Sequence, residues 1–434
     1  LWCMLINILF IWNALAQPEP DAYRLIFDHL KVTDGLSQSW AITINQDEDG
    51  FIWIGTRDGL NRYDSRNFKV YRSDEKDSTA LNSNHISSIY MDSKKQMWVG
   101  TANGLNLYNK DHDNFKRIPD LNKANHSGRM YIHNILEDMG GIIWFTSDRG
   151  LHQFDPESET ETDLILSAND IEEVSTSQMK ALFIDQNKRM WVGVDNAIVR
   201  LDFNKSKNMI IQSVIKLPSS NGIEEFGLVN DIVEYPKGTL WLATERGGFF
   251  ELEIDELKFT HFSHHSTNEK LVNDNVRRLM VDKEGQKLWL GTRNGLSIYS
   301  INSGEFENYQ NEIDNRSSLS ENSVHSIFKD RDGSHWIGTY HGGVNICNSS
   351  FFKITTYMIG KYNKGLNYNA VSAVNEIEPG KILIGTEGGG INFFNRSTGY
   401  YKYFKNKEHE KNSLSHDNVK CIFKDNDGEL WIGT

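Results

Sequence analysis

Trp53-Ile54-Gly55-Thr56 decides the fold, because the same four-residue pattern of Trp, apolar, small and Thr returns along the whole chain. It recurs as Trp98-Val99-Gly100-Thr101, Trp144-Phe145-Thr146-Ser147, Trp191-Val192-Gly193-Val194, Trp241-Leu242-Ala243-Thr244, Trp289-Leu290-Gly291-Thr292, Trp336-Ile337-Gly338-Thr339, Leu383-Ile384-Gly385-Thr386 and Trp431-Ile432-Gly433-Thr434. The nine anchors stand 45, 46, 47, 50, 48, 47, 47 and 48 residues apart. A fixed period of this size is the mark of a repeat architecture.

Around each anchor the residues read as four short strands. In the first unit Ala41 to Gln46 is a strand, Asp47-Glu48-Asp49-Gly50 a turn, and Phe51 to Thr56 a second strand. Arg57-Asp58 then turns the chain into Gly59 to Tyr63, and Phe68 to Arg72 closes the unit. Small sheets that cannot bury both faces alone must stack on their neighbours, which is the logic of a propeller blade, with the tryptophan as the wedge between blades.

Single rings hold about four to eight blades, so nine anchors exceed one ring. Phe27 to Val32 resembles an outer strand without an earlier blade to belong to, and Phe352 to Tyr357 recreates that beginning seven anchors later. The expected fold is therefore all-β: a seven-bladed β-propeller of four-stranded antiparallel blades over residues 22–350, its last blade completed by the N-terminal strand. Residues 351–434 are expected to be the first blades of a second, incomplete propeller.

The 434 residues carry 46 Lys and Arg against 59 Asp and Glu, a formal charge of −13. Such a surface repels phosphate backbones, so nucleic acid is not an expected partner. Residues 1–16, LWCMLINILFIWNALA, form an uncharged apolar run ending in Ala14-Leu15-Ala16, and are expected to be a signal peptide, shortened at its start and cleaved before Gln17. After that run no stretch reaches the length of a spanning helix, so contact with a membrane is expected only through parts beyond Thr434. Cys347 and Cys421 both lie in apolar strand-like runs and are expected to be buried free thiols.

No constellation of catalytic residues stands out. Asp47-Glu48-Asp49-Gly50, Asp330-Arg331-Asp332-Gly333 and Asp425-Asn426-Asp427-Gly428 begin like calcium loops, but the position for the closing glutamate holds Asp58 in the first and His341 in the second. Asp-Gly is a strong hairpin pair, so these are expected to be turns. No HExxH, GxSxG, phosphate loop or Cys-His spacing occurs. The expectation is no catalytic residue, no metal and no cofactor.

Loops joining second to third strands, and loops joining consecutive blades, open on one face of the ring. They place Arg57, Asp58, Asp148, Arg149, Glu245, Arg246, Arg293, Tyr340 and His341 there, and Trp40, His85 and Tyr131 stand thirteen residues before their anchors. Mixed guanidinium, carboxylate, imidazole and aromatic groups on one concave face suit an oligosaccharide or another small polar ligand. Asp148 with Glu245 is the one carboxylate pair that would serve a glycosidase.

Gly35-Leu36-Ser37-Gln38-Ser39, followed by Asp47 to Asp64, resembles the two-component regulator propeller repeat, and the resemblance runs through essentially every residue after the apolar leader. Ala197-Ile198 in place of Gly-Leu, and Leu383 in place of Trp, depart from it. The resemblance implies the periplasmic sensor region of a Bacteroidetes-type hybrid two-component histidine kinase, with further propeller, membrane and kinase parts elsewhere, glycan fragments as frequent signals, and a homodimeric full-length protein. A secreted propeller scaffold and a carbohydrate-active propeller enzyme are the alternatives.

Overall fold

The computed structural model describes residues 25–119, 129–164, 178–203, 209–219, 225–264, 271–348, 357–360, 365–425 and 427–434. The apolar leader, His265 and the segment from Phe351 to Thr356 lie outside them. Leu25–Ser349 is one compact unit, and the described residues from 357 onward belong to a second.

The first unit holds seven four-stranded antiparallel sheets. Blade 1 is Thr43–Gln46, Ile52–Thr56, Gly59–Tyr63 and Phe68–Tyr71, and the other blades repeat this order, each with its first strand innermost. The inner strands are Ile86–Met91, Ile132–Glu137, Leu182–Ile184, Val229–Glu234, Val276–Asp282 and Val324–Lys329 in blades 2 to 7. Each packs on its neighbours, and that of blade 7 packs on that of blade 1. The protein is all-β, and this unit is a seven-bladed propeller.

Why the anchor takes tryptophan is visible in its surroundings. Trp53 packs among Ile86, Ile89 and Val99 of the next blade, and Trp144 among Leu182 and Val192 of the next. Trp336 of blade 7 packs among Ile44, Ile52 and Ile54 of blade 1, so the series closes on itself. The indole N–H is also satisfied: Trp53 donates to Asp47 Oδ2 at 2.6 Å, Trp98 to Asp92 at 2.9 Å, Trp144 to Asp138 at 2.8 Å and Trp336 to Asp330 at 2.7 Å. The other oxygen of Asp47 accepts the N–H of Phe51 at 3.0 Å and holds the tight turn. The Asp-x-x-Gly stretches are thus turn and wedge-holder in one.

Blade 6 shows what happens when the spacing changes. Its turn is one residue longer, Asp282 binds Lys329 Nζ at 2.9 Å, and Trp289 Nε1 has no partner among the described residues. His335 instead lies flat against the indole, ring centroids 4.0 Å apart.

Anchor glycines let the blades approach. A Cβ on Gly55 would come within 2.6 Å of Ile86 Cγ2, and one on Gly193 within 2.6 Å of the Val229 carbonyl. Third-strand asparagines tie the preceding loop to its blade: Asn61, fully buried, accepts from Ser37 N at 2.8 Å and donates to Ser37 Oγ at 2.9 Å. That is why Gly-Leu-Ser precedes and Gly-Leu-Asn follows the first anchor.

The N-terminal strand Asp28–Leu30 pairs with the third strand of blade 7, Asp28 opposite Ile346, His29 opposite Asn345 and Leu30 opposite Val344. Phe27 is buried beside Trp289, Tyr309 and Cys347. Blade 7 therefore takes its outer strand from the other end of the unit, and the pairing locks the ring shut.

The second unit has one four-stranded sheet, Val371–Glu378, Lys381–Thr386, Gly390–Asn395 and Tyr400–Phe404, and the two-stranded sheet of Cys421–Lys424 with Leu430–Gly433. Leu383 packs with Val419 and Ile422 of the following sheet, doing with less volume what tryptophan does elsewhere. Cys347 is buried as expected, but Cys421 is an exposed free thiol. An alternating strand buries both its faces only when sheets pack on both, and the two-stranded sheet leaves the Cys421 side open.

Trp336→Ala should cost about 3–5 kcal/mol in unfolding free energy, because it empties the closing interface and strands Asp330 Oδ2. Denaturant titration checks this, and Trp336→Phe should recover most of the loss. Deleting residues 25–31 should lower the melting temperature of the first unit by opening its ring, which calorimetry would register.

Candidate functional site

The inner strands break their own alternation. Their openings read Ile86-Ser87-Ser88-Ile89, Ile132-His133-Asn134-Ile135, Val229-Asn230-Asp231-Ile232, Val276-Arg277-Arg278-Leu279 and Val324-His325-Ser326-Ile327. Two polar residues between two apolar ones cannot alternate with period 2. The structure resolves the conflict with a β-bulge in each: Ile86 pairs with Thr101 but Ser88 already with Gly100, and the same slip occurs at 132/134, 229/231, 276/278 and 324/326. In blades 1 and 4 Ile42 and Lys180 hold the corresponding place, each donating its N–H to the carbonyl of its anchor glycine, Gly55 at 2.8 Å and Gly193 at 3.1 Å. A bulge re-aims a side chain. Here it sets Ser87, His133, Asn230, Arg277 and His325 apart from the apolar residues on either side, and Ile42 and Lys180 stand at the corresponding places of blades 1 and 4.

These groups meet one another. Lys180 Nζ donates to Asn230 Oδ1 at 2.8 Å, and Arg277 Nη1 lies 2.7 Å from both Ser323 Oγ and His325 Nε2. Arg278 stands 3.9 Å from Asp231, which accepts the N–H of Leu279 at 2.9 Å. Burial, with Arg278 and Arg277 nearby, pulls the Lys180 ammonium down to about 8, against the opposing pull of Glu245 and Asp231. Burial and then the charges of Arg277, Lys180 and Arg278 depress His325 to about 3. Burial and then Lys180 depress His133 to about 4, so both imidazoles are neutral at physiological pH.

His325 also joins an aromatic cluster built from blades 1, 2, 3 and 7. Trp40 lies 4.6 Å from Tyr340, 5.2 Å from His325 and 6.0 Å from His85, with the Arg57 guanidinium 5.4 Å over its ring. His85 lies edge-on to Tyr131 at 5.2 Å and Tyr131 Oη reaches its Nε2 at 3.3 Å. Tyr340 is flanked by His341 at 4.2 Å. Trp40 Nε1 and the hydroxyl of Ser87 are buried without a partner among the described residues.

Of the residues read from sequence, Trp40, Arg57, His85, Tyr131, Tyr340 and His341 come together in this cluster. Asp148 accepts the N–H of Tyr131 at 3.0 Å, Glu245 acts on Lys180, and Arg293 acts on Arg277. Asp58 does not join them, because Arg72 holds it at 3.0 Å. Arg149 donates to the Arg129 carbonyl at 3.3 Å, and Arg246 is exposed. Asp148 and Glu245 belong to blades 3 and 5. His133, Lys180, Asn230, Asp231, Arg277, Arg278 and His325 were not singled out from sequence, although the doubled polar pairs mark all but Lys180.

The electrostatics of the centre give two expected outcomes. Unfolded histidine takes its proton near pH 6.5 whereas His133 and His325 resist it, so stability should fall as pH drops from about 6.5 toward 4. Urea titrations across that range check the sign. Arg277→Met removes the largest charge acting on His325, so its imidazole should titrate higher by on the order of one unit in NMR.

The two-component regulator propeller model matches residues 35–58, 80–103, 270–294, 318–341 and 413–434. A curated relative, histidine kinase P4 of Formosa agariphila, is 43% identical over 74 residues, 17% of this chain and 5% of that protein. Among solved structures, the extracellular domain of a putative hybrid two component system from B. thetaiotaomicron superposes with a TM-score of 0.73 at 24% identity, over 95% of this chain and 52% of that one. Virginiamycin B lyase from Staphylococcus aureus superposes with a TM-score of 0.53 at 16% identity, over 75% of this chain and 99% of that one. The chain thus spans about half the length of that extracellular domain and a small part of the curated kinase. The five matched stretches carry the two-component regulator propeller repeat: three of them include a Leu-Ser junction, and all hold a turn aspartate and the Trp-x-Gly-Thr wedge.

Proposed function

We propose that the first ring is the ligand-sensing part of a periplasmic sensor in a hybrid two-component system, and that it takes a glycan fragment at its centre. The observation that carries this reading is the Trp40 cluster. Four blades deliver aromatic and imidazole rings to one spot, and a tryptophan with its indole N–H unpaired among the described residues sits in it. A sugar ring needs an apolar surface to stack on and hydrogen-bonding groups for its hydroxyls, and the cluster offers both. The family and the overlaid extracellular domains support the sensor role and an extracytoplasmic location. Kinase activity belongs, in this proposal, to the longer protein in which such a propeller would sit.

No feature of the described centre favours chemistry over binding. Its two histidines are held neutral by burial and neighbouring cations, and Asp231 is occupied with backbone N–H groups and Arg278. Asp148 likewise serves a backbone N–H.

Titration of the chain with a panel of neutral and charged oligosaccharides, followed by calorimetry and by tryptophan fluorescence, tests the proposal. Trp40→Ala should weaken binding about tenfold or more, the loss expected when a stacking surface worth roughly 1–2 kcal/mol is removed, with the fold intact. Unchanged affinity in both Trp40→Ala and Tyr340→Ala would place the site elsewhere.

A further inference from the structure

The wall of the ring centre carries a chemistry of its own. Resting on the reading of that centre as the ligand site, we propose that the bound sugar is anionic, its carboxylate or sulfate group seated among Lys180, Arg277 and Arg278.

The bulge layer is the first reason. The bulge residues of five inner strands, with Ile42 and Lys180 at the corresponding places of the other two, are two cations, four uncharged polar groups, one isoleucine and no acid. In a chain with a formal charge of −13, an acid-free layer at the centre runs against the composition. Next to the bulge residues, Arg278 of blade 6 adds a third cation and Asp231, at the same place in blade 5, one acid that faces it.

The second reason is that these cations are held close without full neutralisation. After burial itself, the strongest influence on the Lys180 ammonium is the like charge of Arg278, ahead of Glu245, Arg277 and Asp231. Asp231 already accepts from Leu279 N and Ile232 N, and it stands 3.9 Å from Arg278. Like charges gathered in a partly buried place cost folding energy, and an anion between them relieves it. Arg277 is propped by Asn275, Ser323 and His325, so its guanidinium is fixed in direction before any ligand arrives.

The third reason is donor supply. Ser87, 4% exposed, has a hydroxyl without a partner among the described residues, and so has the Trp40 indole N–H. Both can donate to oxygens of a sugar or of its acidic substituent. The unpartnered groups there are thus donors, which suits an acceptor-rich ligand.

The test uses the whole chain and three probes at fixed ionic strength: glucuronate, glucose 6-sulfate and glucose. Calorimetry and thermal shift should give at least one charged sugar an affinity about tenfold or more above that of glucose, and the two charged arms separate carboxylate from sulfate recognition. Arg277→Met and Lys180→Met, each checked for an unaltered circular dichroism spectrum, should abolish the preference while leaving the response to glucose in place. Equal response to all three, a preference that survives in both variants, or silence toward both charged sugars would overturn the inference. Should the charge preference be missing while a Trp40-dependent oligosaccharide response persists, the inference fails and the glycan reading stands; should both be missing, both fail.

Discussion

The indole of the anchor tryptophan is held at two ends in every blade of the ring but the sixth, and the ring depends on that. In blade 1 its N–H is fixed by the aspartate that shapes the preceding turn, and its face fills the space against the next blade. One carboxylate therefore sets a hairpin within a blade and the direction of a wedge between blades. Because Trp336 packs on blade 1 as Trp53 packs on blade 2, no blade is terminal. Blade stacking is otherwise a sum of neighbour terms, and closing the circle gives every blade two neighbours.

A rigid frame of this kind makes the inner strands useful. Each must bury apolar residues against adjacent blades and also line the axis, two demands that a plain alternating strand meets on opposite faces. The bulge supplies an extra residue where the strand enters the sheet, so that Ile86 and Ile89 stay in the core while Ser87 leaves it, and Val276 and Leu279 stay while Arg277 leaves it. Charged groups reach the centre without interrupting the wedge contacts that hold the blades together.

The fold was legible in the sequence because the wedge is a single large residue at a constant spacing, and the site only in part because it is made by a backbone irregularity. Counting back from the anchors finds Trp40, His85 and Tyr131, and counting forward finds Arg57 and Tyr340. His133, Arg277 and His325 escape that count, since an alternating strand would put one residue of each polar pair in the core. The apolar-polar-polar-apolar pattern was the available signal. Asp58 shows the opposite failure: a loop position on the correct face whose side chain Arg72 captures. Cys421 misleads for another reason, as apolar neighbours in sequence do not bury a residue whose sheet is covered on one side.

For a sensor, the consequence is that ligand affinity is set on a frame that moves little, so a signal arises only if the bound and free forms differ in how they engage what lies beyond the ring. The central claim is that the ring centre, built by bulges on a closed set of wedges, is where the ligand sits. A crystal structure of the chain with a charged sugar tests it most directly. The account predicts the sugar on the axis, one face against Trp40 and its acidic group within hydrogen-bond distance of Arg277 and Lys180. A sugar bound on the outer strands or at a blade edge, with the centre unchanged, would contradict it.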